Sequence, residues 1–205
     1  MKMNSDGKRI VFGGHDMENK SYLSYYMEFD SKYTGSLNKY GGLPTHLPTQ
    51  WPVTDQDGDE MTFLCQLYCD DKMLSIPGTL CIQVYQLVMN DLEASDPIIV
   101  QVPIDAKENV DKMGIPCKRL PEGDIKFIEV WEEINEESIK RLVDQNDNHL
   151  VSSKLGGWCP SEDVEQDAFL GAIHDGDYFS PFNWGCGCSL IMYLNEDNQV
   201  VWDFW

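Results

Sequence analysis

The sequence predicts an α+β fold: a mainly antiparallel sheet with few helices, built from two similar β-rich halves within one domain spanning residues 1–205. Three observations predict it. Several stretches alternate apolar and polar residues with period two, only one segment carries a well-formed helix start, and a set of Gly, Pro and Phe-Leu landmarks occurs twice in the same order.

Met61 to Cys69 places Met61, Phe63, Cys65, Leu67 and Cys69 on one side of a strand and Thr62, Gln66 and Tyr68 on the other. After the turn signal Pro77-Gly78, Thr79 to Val88 reads as an antiparallel return strand. Pro97 to Pro103 is a short strand bracketed by prolines, and Asp124 to Trp131 is another with apolar residues on both faces at its centre. Cys188 to Leu194, the turn Asn195-Glu196-Asp197-Asn198 and Val200 to Trp205 form a terminal hairpin. The expected helix starts at Asn135, a good N-cap, with Glu136 and Glu137 in its first turn and Ile139, Leu142 and Val143 on one stripe to about Asp144. Tyr22 to Phe29 is so rich in aromatics that helix and strand both remain open there.

The duplication sets Gly41-Gly42-Leu43-Pro44, Phe63-Leu64-Cys65-Gln66-Leu67 and Gly78-Thr79-Leu80-Cys81-Ile82 against three later stretches. These are Gly156-Gly157-Trp158-Cys159-Pro160, Phe169-Leu170-Gly171-Ala172-Ile173 and Gly187-Cys188-Ser189-Leu190-Ile191. The first repeat spans about 37–90 and the second about 150–205, with a connecting strand and helix over 97–148.

With 15 Lys and Arg against 35 Asp and Glu, the chain carries a net charge of −20 and has a sequence pI near 4.3. Nucleic acids and anionic membranes demand a basic surface, so neither is an expected partner; a cationic protein is. Seven cysteines are an odd number, the polar N-terminus lacks an export signal, and no apolar stretch reaches the length of a membrane span. The expected location is the cytoplasm.

Motifs for chemistry are few. Asp55, Asp57, Asp59 and Glu60 suggest calcium, but an EF-hand register counted from Asp55 puts Glu60 where glycine is needed and Gln66 where a bidentate Glu is needed, so an acidic turn is expected. Paired CxxC knuckles are missing, so no metal is expected. Cys159 or Cys186 with His15, His46, His149 or His174 has the parts of a nucleophilic pair, but so anionic a chain does little to lower a thiol pKa. No phosphate-cradling or dinucleotide loop is present, and no cofactor or catalytic residue is expected. The charge remains: Glu132, Glu133, Glu136 and Glu137 crowd Trp131, and with Asp55, Asp57, Asp59 and Glu60 they form the expected partner-binding surface. The alternative is a ligand pocket or enzymatic site between the repeats, lined by Trp51, Gln66, Trp158 and Trp184.

The ordered set Gly41-Gly42-Leu43-Pro44, Trp51-Pro52, Phe63 to Leu67, Pro77 to Leu80, Lys154-Leu155-Gly156-Gly157 and Trp184-Gly185-Cys186-Gly187 resembles the YwqG-like family of bacterial proteins over residues 37–194. The resemblance implies one α+β domain with a duplicated sheet core, no established enzymatic activity, and a setting near toxin systems. The expected function is therefore that of a non-enzymatic immunity protein, an antitoxin that occludes a cognate toxin. Gly171-Ala172 departs from the family, which usually has a Gln there, and residues 1–36 match it poorly.

Overall fold

A computed structural model describes residues 20–48, 50–54, 57–87, 95–107, 119–135, 137–138, 140, 152–161, 163–175, 182, 184 and 188–205. Ten strands run β1 (Lys20–Asp30), β2 (Lys39–Tyr40), β3 (Thr62–Tyr68), β4 (Thr79–Gln86), β5 (Ile98–Pro103), β6 (Gly123–Ile134), β7 (Lys154–Gly156), β8 (Phe169–His174), β9 (Ser189–Leu194) and β10 (Val200–Phe204). They form one sheet in the order β10-β9-β8-β7-β1-β6-β2-β3-β4-β5, every ladder antiparallel.

This corrects the expected α+β class: among the described residues the regular structure is nearly all antiparallel sheet. The open segment Tyr22 to Phe29 is strand, because Tyr25 and Met27 point into the core while Tyr26 is half-buried and Glu28 exposed. The helix does begin where its cap lies: Asn135 Oδ1 accepts the Ser138 N–H at 2.9 Å and Ser138 Oγ accepts the Asn135 N–H at 2.9 Å. Among the described residues only Glu137, Ser138 and Lys140 are helical. Glu136, Ile139 and residues 141–144 of the expected helix lie outside the described residues.

The sheet order is symmetric. Numbering outward from the centre, β2, β3, β4 and β5 on one side match β7, β8, β9 and β10 on the other, and β6 and β1 occupy the middle. Lys39 pairs with Asp124 and Lys154 with Tyr26, so Tyr26 of β1 answers to Asp124 of β6, and Glu28 to Lys126. Those last two face each other in the ladder, which puts the pseudo-twofold axis between them. Both halves also carry a bulge at the same place, between Phe63 and Cys65 and between Phe169 and Gly171. The register matches Ser189 to Cys81, both opposite the last residues of β3 and β8, one residue away from the sequence alignment that set Ser189 against Leu80. Each half thus takes in a long strand, β1 or β6, that lies outside the repeats expected from sequence.

The sheet curls until β5 and β10 approach. No ladder joins these two strands. Instead the Gln101 side chain spans the seam: its Nε2 donates to the Asn198 carbonyl at 3.1 Å, and its Oε1 accepts the Val200 N–H at 2.8 Å. The concave face encloses the main core, including Tyr25, Met27, Leu67, Ile82, Leu155, Ile173, Leu190 and Trp184. On the convex face each half has its own small cluster. Phe63 and Tyr85 pack with Trp51, and Phe169 and Ile191 pack with Cys159 and Val164. The loops after the paired glycines cover these clusters, which is why β3, β4 and β8 are buried on both faces.

Candidate functional site

The long central strand β6 arranges the expected acidic surface. A strand sends successive side chains to opposite faces, so Glu129, Trp131 and Glu133 share one face and Glu132 the other. Trp131 is 62% exposed, an unusual state for an indole on a sheet, and Glu133 beside it is exposed too. Across the ladder lie Leu23 opposite Trp131, Tyr25 opposite Glu129 and Ser21 opposite Glu133. Lys72, held out by the turn after β3, places its ammonium 2.5 Å from Glu129 and 5.3 Å from the centre of the Tyr25 ring. Its hydrogen bond to Glu129 keeps the ammonium pKa above the usual lysine value.

Glu132 is not part of this surface. Its carboxylate is buried against Lys154 at 2.6 Å, with side chains 1% and 0% exposed, and it also accepts the Tyr26 hydroxyl at 2.9 Å and the Trp158 N–H at 2.7 Å. Burial pulls the Lys154 ammonium below the usual lysine value, and Glu132 opposes that shift. A strand ending at Trp131, as the sequence pattern predicts, leaves Glu132 equivalent to its acidic neighbours; β6 runs three residues further, to Ile134.

Of the other expected partner-binding residues, Glu137 is exposed at the helix start, whereas Glu136 and Asp55 lie outside the described residues. Asp57, Asp59 and Glu60 are exposed on a separate hairpin turn, closed by the Thr54 N–H donating to the Asp59 carbonyl at 2.8 Å and the Asp59 N–H donating to Thr54 Oγ1 at 3.0 Å.

Trp51, Gln66, Trp158 and Trp184 do not converge. Trp51 donates its indole N–H to the Met61 carbonyl and packs with the first convex cluster, Trp158 packs beside Ile134, and Trp184 is buried in the main core with its indole N–H on the Ile173 carbonyl. Gln66, fully buried, pins the loop after the first glycine pair. Its Oε1 accepts the Thr45 N–H at 2.9 Å, and its Nε2 donates to the Leu37 carbonyl at 2.7 Å. In the second half Gln166 holds the corresponding loop, accepting the Cys159 N–H and donating to the Gly157 carbonyl. These glutamines are loop anchors.

A groove of about 660 Å³ does lie at the pseudo-twofold axis, lined by other residues: Tyr26, Glu28, Asp30, Lys126, Ile128 and Ser153 among them. Lys126 and Asp30 pair across it at 2.5 Å, which holds the Asp30 carboxyl below and the Lys126 ammonium above their usual values.

Cys159, one of the two candidate nucleophiles, is buried, and burial pushes its thiol up to about 11, so it stays protonated at neutral pH. Cys186, His15 and His149 lie outside the described residues. His174 is buried with Nδ1 3.0 Å from Ser189 Oγ, and His46 is buried too. No cluster of three His, Cys, Asp or Glu side chains able to hold a metal occurs among the described residues. Among them, too, no helix is long and apolar enough to cross a membrane.

Sequence reasoning missed Lys72, Tyr25 and Lys154. Lys154 had a signal, since Lys39 and Lys154 stand at the same distance before the paired glycines of the two repeats and each is buried against a glutamate, Glu122 and Glu132 respectively. Lys72 had none, because its contact joins residues 57 positions apart. No protein-family model matches the chain, and no curated protein is significantly similar to it, so the likeness to YwqG-like proteins rests on the ordered sequence fragments alone.

Proposed function

We propose that this chain is a non-enzymatic cytoplasmic binding protein that docks a cationic protein partner on the β6 face carrying Glu129, Trp131 and Glu133. The observation that supports it is Trp131: a 62% exposed indole flanked on its own strand by carboxylates, in a chain of net charge −20. Such a field accelerates encounter with a basic protein, and the indole is the residue type that anchors a complex once contact forms. A bacterial toxin, which this protein would neutralise by occlusion as an immunity protein, is the partner suggested by the YwqG-like resemblance. Hen lysozyme and polylysine serve as cationic probes. Titration should shift the Trp131 signal and weaken with salt, and Trp131→Ala with Glu133→Lys should reduce affinity at least about tenfold. Unchanged affinity in that variant removes the face from consideration.

The groove on the pseudo-twofold axis supports a second reading, a small-ligand site, because its volume of about 660 Å³ falls in the range of ligand pockets and both halves contribute to it. A metabolite screen read by thermal shift tests it. Stabilisation that Tyr26→Ala abolishes favours this reading.

A further inference from the structure

We infer that Lys72 is a built-in occupant of the docking face, holding the seat that a basic side chain of the partner takes when it binds. The inference rests on the partner-binding reading above and specifies the partner's chemistry. The Lys72 ammonium lies between the Glu129 carboxylate, at 2.5 Å, and the Tyr25 ring, whose centre is 5.3 Å away. Tyr25 and Glu129 are ladder partners, and Lys72 lies over the one side of the Tyr25 ring that the core leaves, the residue being 4% exposed, so ring and carboxylate form two walls of one seat, with the attraction of a cation for an aromatic face added to the ion pair.

Lys72 is fixed at its backbone and exposed at its tip. Asp70 Oδ1 accepts the N–H groups of Lys72 at 2.7 Å and Met73 at 2.6 Å, and the Asp70 N–H donates to the Leu74 carbonyl at 2.9 Å, while Leu74 is buried. The Lys72 side chain itself is 65% exposed. It can leave Glu129 without disturbing the turn, and an exposed ion pair contributes little, so displacement is easy.

The rest of the face extends the pattern. Trp131 lies two residues beyond Glu129 and Glu133 two beyond that, about 6.6 Å apart at each step along a strand. Among the described residues Glu133 makes no ion pair. The complementary occupant is an extended cationic segment with period two, basic–x–apolar–x–basic. Its first basic side chain replaces Lys72, its apolar residue covers Trp131, and its second basic side chain meets Glu133.

The test uses the full chain and a peptide probe, acetyl-Lys-Ser-Leu-Ser-Lys-amide, with the Glu-Ser-Leu-Ser-Glu peptide as control, titrated at low ionic strength against the Trp131 indole N–H resonance. Lys72→Ala should tighten binding about three- to tenfold by vacating the seat. Lys107→Ala, which removes an exposed lysine elsewhere, should not. Glu129→Gln added to Lys72→Ala should abolish the gain. If Lys72→Ala binds no more tightly than the parent, or Lys107→Ala tightens binding as much, Lys72 is no occupant and the inference is overturned, while Trp131-dependent, salt-sensitive binding by the parent leaves the partner reading standing. If Trp131→Ala changes the affinity for no cationic probe, the partner reading falls and the inference with it.

Discussion

Lys154→Met tests the most heavily buried charge among the described residues. The pair it breaks has side chains 0% and 1% exposed and an N–O distance of 2.6 Å, so water cannot take over for the missing ammonium. Among the described residues Glu132 would keep the Tyr26 hydroxyl and the Trp158 N–H as donors. Breaking a buried pair from one side costs about 3 to 5 kcal/mol, a large share of the roughly 5 to 15 kcal/mol that holds a domain folded. At about 2 to 4 °C per kcal/mol for a chain of this size, the melting temperature should fall by about 6 to 20 °C. Lys154→Met with Glu132→Gln should be less destabilised than Lys154→Met alone, because the orphaned charge is gone while a carbonyl remains to accept a hydrogen bond. The pH dependence has a defined sign. A lysine whose folded pKa lies below the usual 10.5 binds fewer protons folded than unfolded between those two values, so its contribution to stability rises with pH across that window. Lys154→Met should flatten that rise. Urea unfolding monitored by tryptophan fluorescence at several pH values reads both effects. A single variant within about 1 kcal/mol of the parent refutes the premise that this pair is dry and coupled.

Gln101→Ala should loosen the seam between β5 and β10 by about 0.5 to 1.5 kcal/mol, with hydrogen exchange at the Val200 amide accelerating while amides of β3 and β8 stay protected. Gly157→Ala should cost about 2 to 4 kcal/mol in chemical denaturation, since φ is +83° and a Cβ there would lie 1.9 Å from Ser24 Oγ and 2.6 Å from Glu132 Oε2. Gly58→Ala, at φ +68° with nothing within 4 Å, should cost about 1 kcal/mol. Asp124 is held below its usual 3.8 chiefly by the Thr34 hydroxyl, so its contribution is present above that value and is lost as pH falls through the lower folded one. Asp124→Asn should shrink the acid-induced loss of stability, read as a smaller change in urea midpoint below pH 3.8.

What the sequence made legible was local. Strand patterns in Met61 to Cys69 and in Thr79 onward located β3 and β4, but strict period two failed within β3: the bulge after Phe63 sends Met61 and Phe63 to the convex cluster and Cys65 and Leu67 to the main core, not to one side as expected. Asn135 identified a helix start, and the repeated Gly-Gly and Phe-Leu landmarks correspond to the order and shared bulges of the two halves. Long-range placement was hidden. Tyr22 to Phe29 was ambiguous in isolation because its alternation is masked by aromatics on both faces; only the ladder with β6 makes Tyr25 a core residue and Tyr26 a partner of Glu132. The partner-binding cluster suffered the same limit. Four acidic residues around Trp131, Glu132, Glu133, Glu136 and Glu137, look equivalent in sequence, yet a strand running to Ile134 sends Glu132 to a buried lysine and leaves Glu133 in solvent.

The arrangement of β1 and β6 decides whether either half is a unit in its own right. β1 belongs to the first set of five strands but lies between β6 and β7, and β6 belongs to the second set but lies between β1 and β2. Each half has therefore given its first strand to the other. Within residues 1–107, β1 could reach β2 only by taking the place of β6, and the Lys39 side chain would lose Glu122. Within residues 119–205, β6 would lack its eleven-residue ladder with β1, and Glu132 would lose the Tyr26 hydroxyl. A sheet with an unpaired central edge aggregates or stays unfolded. Each fragment expressed alone should therefore lack cooperative unfolding, whereas mixing the two should restore a single transition, slow because it must join strands about a hundred residues apart. Cooperative folding of either fragment by itself, measured by circular dichroism on heating, would show that the halves are independent and that the exchange of β1 and β6 does not hold the sheet together.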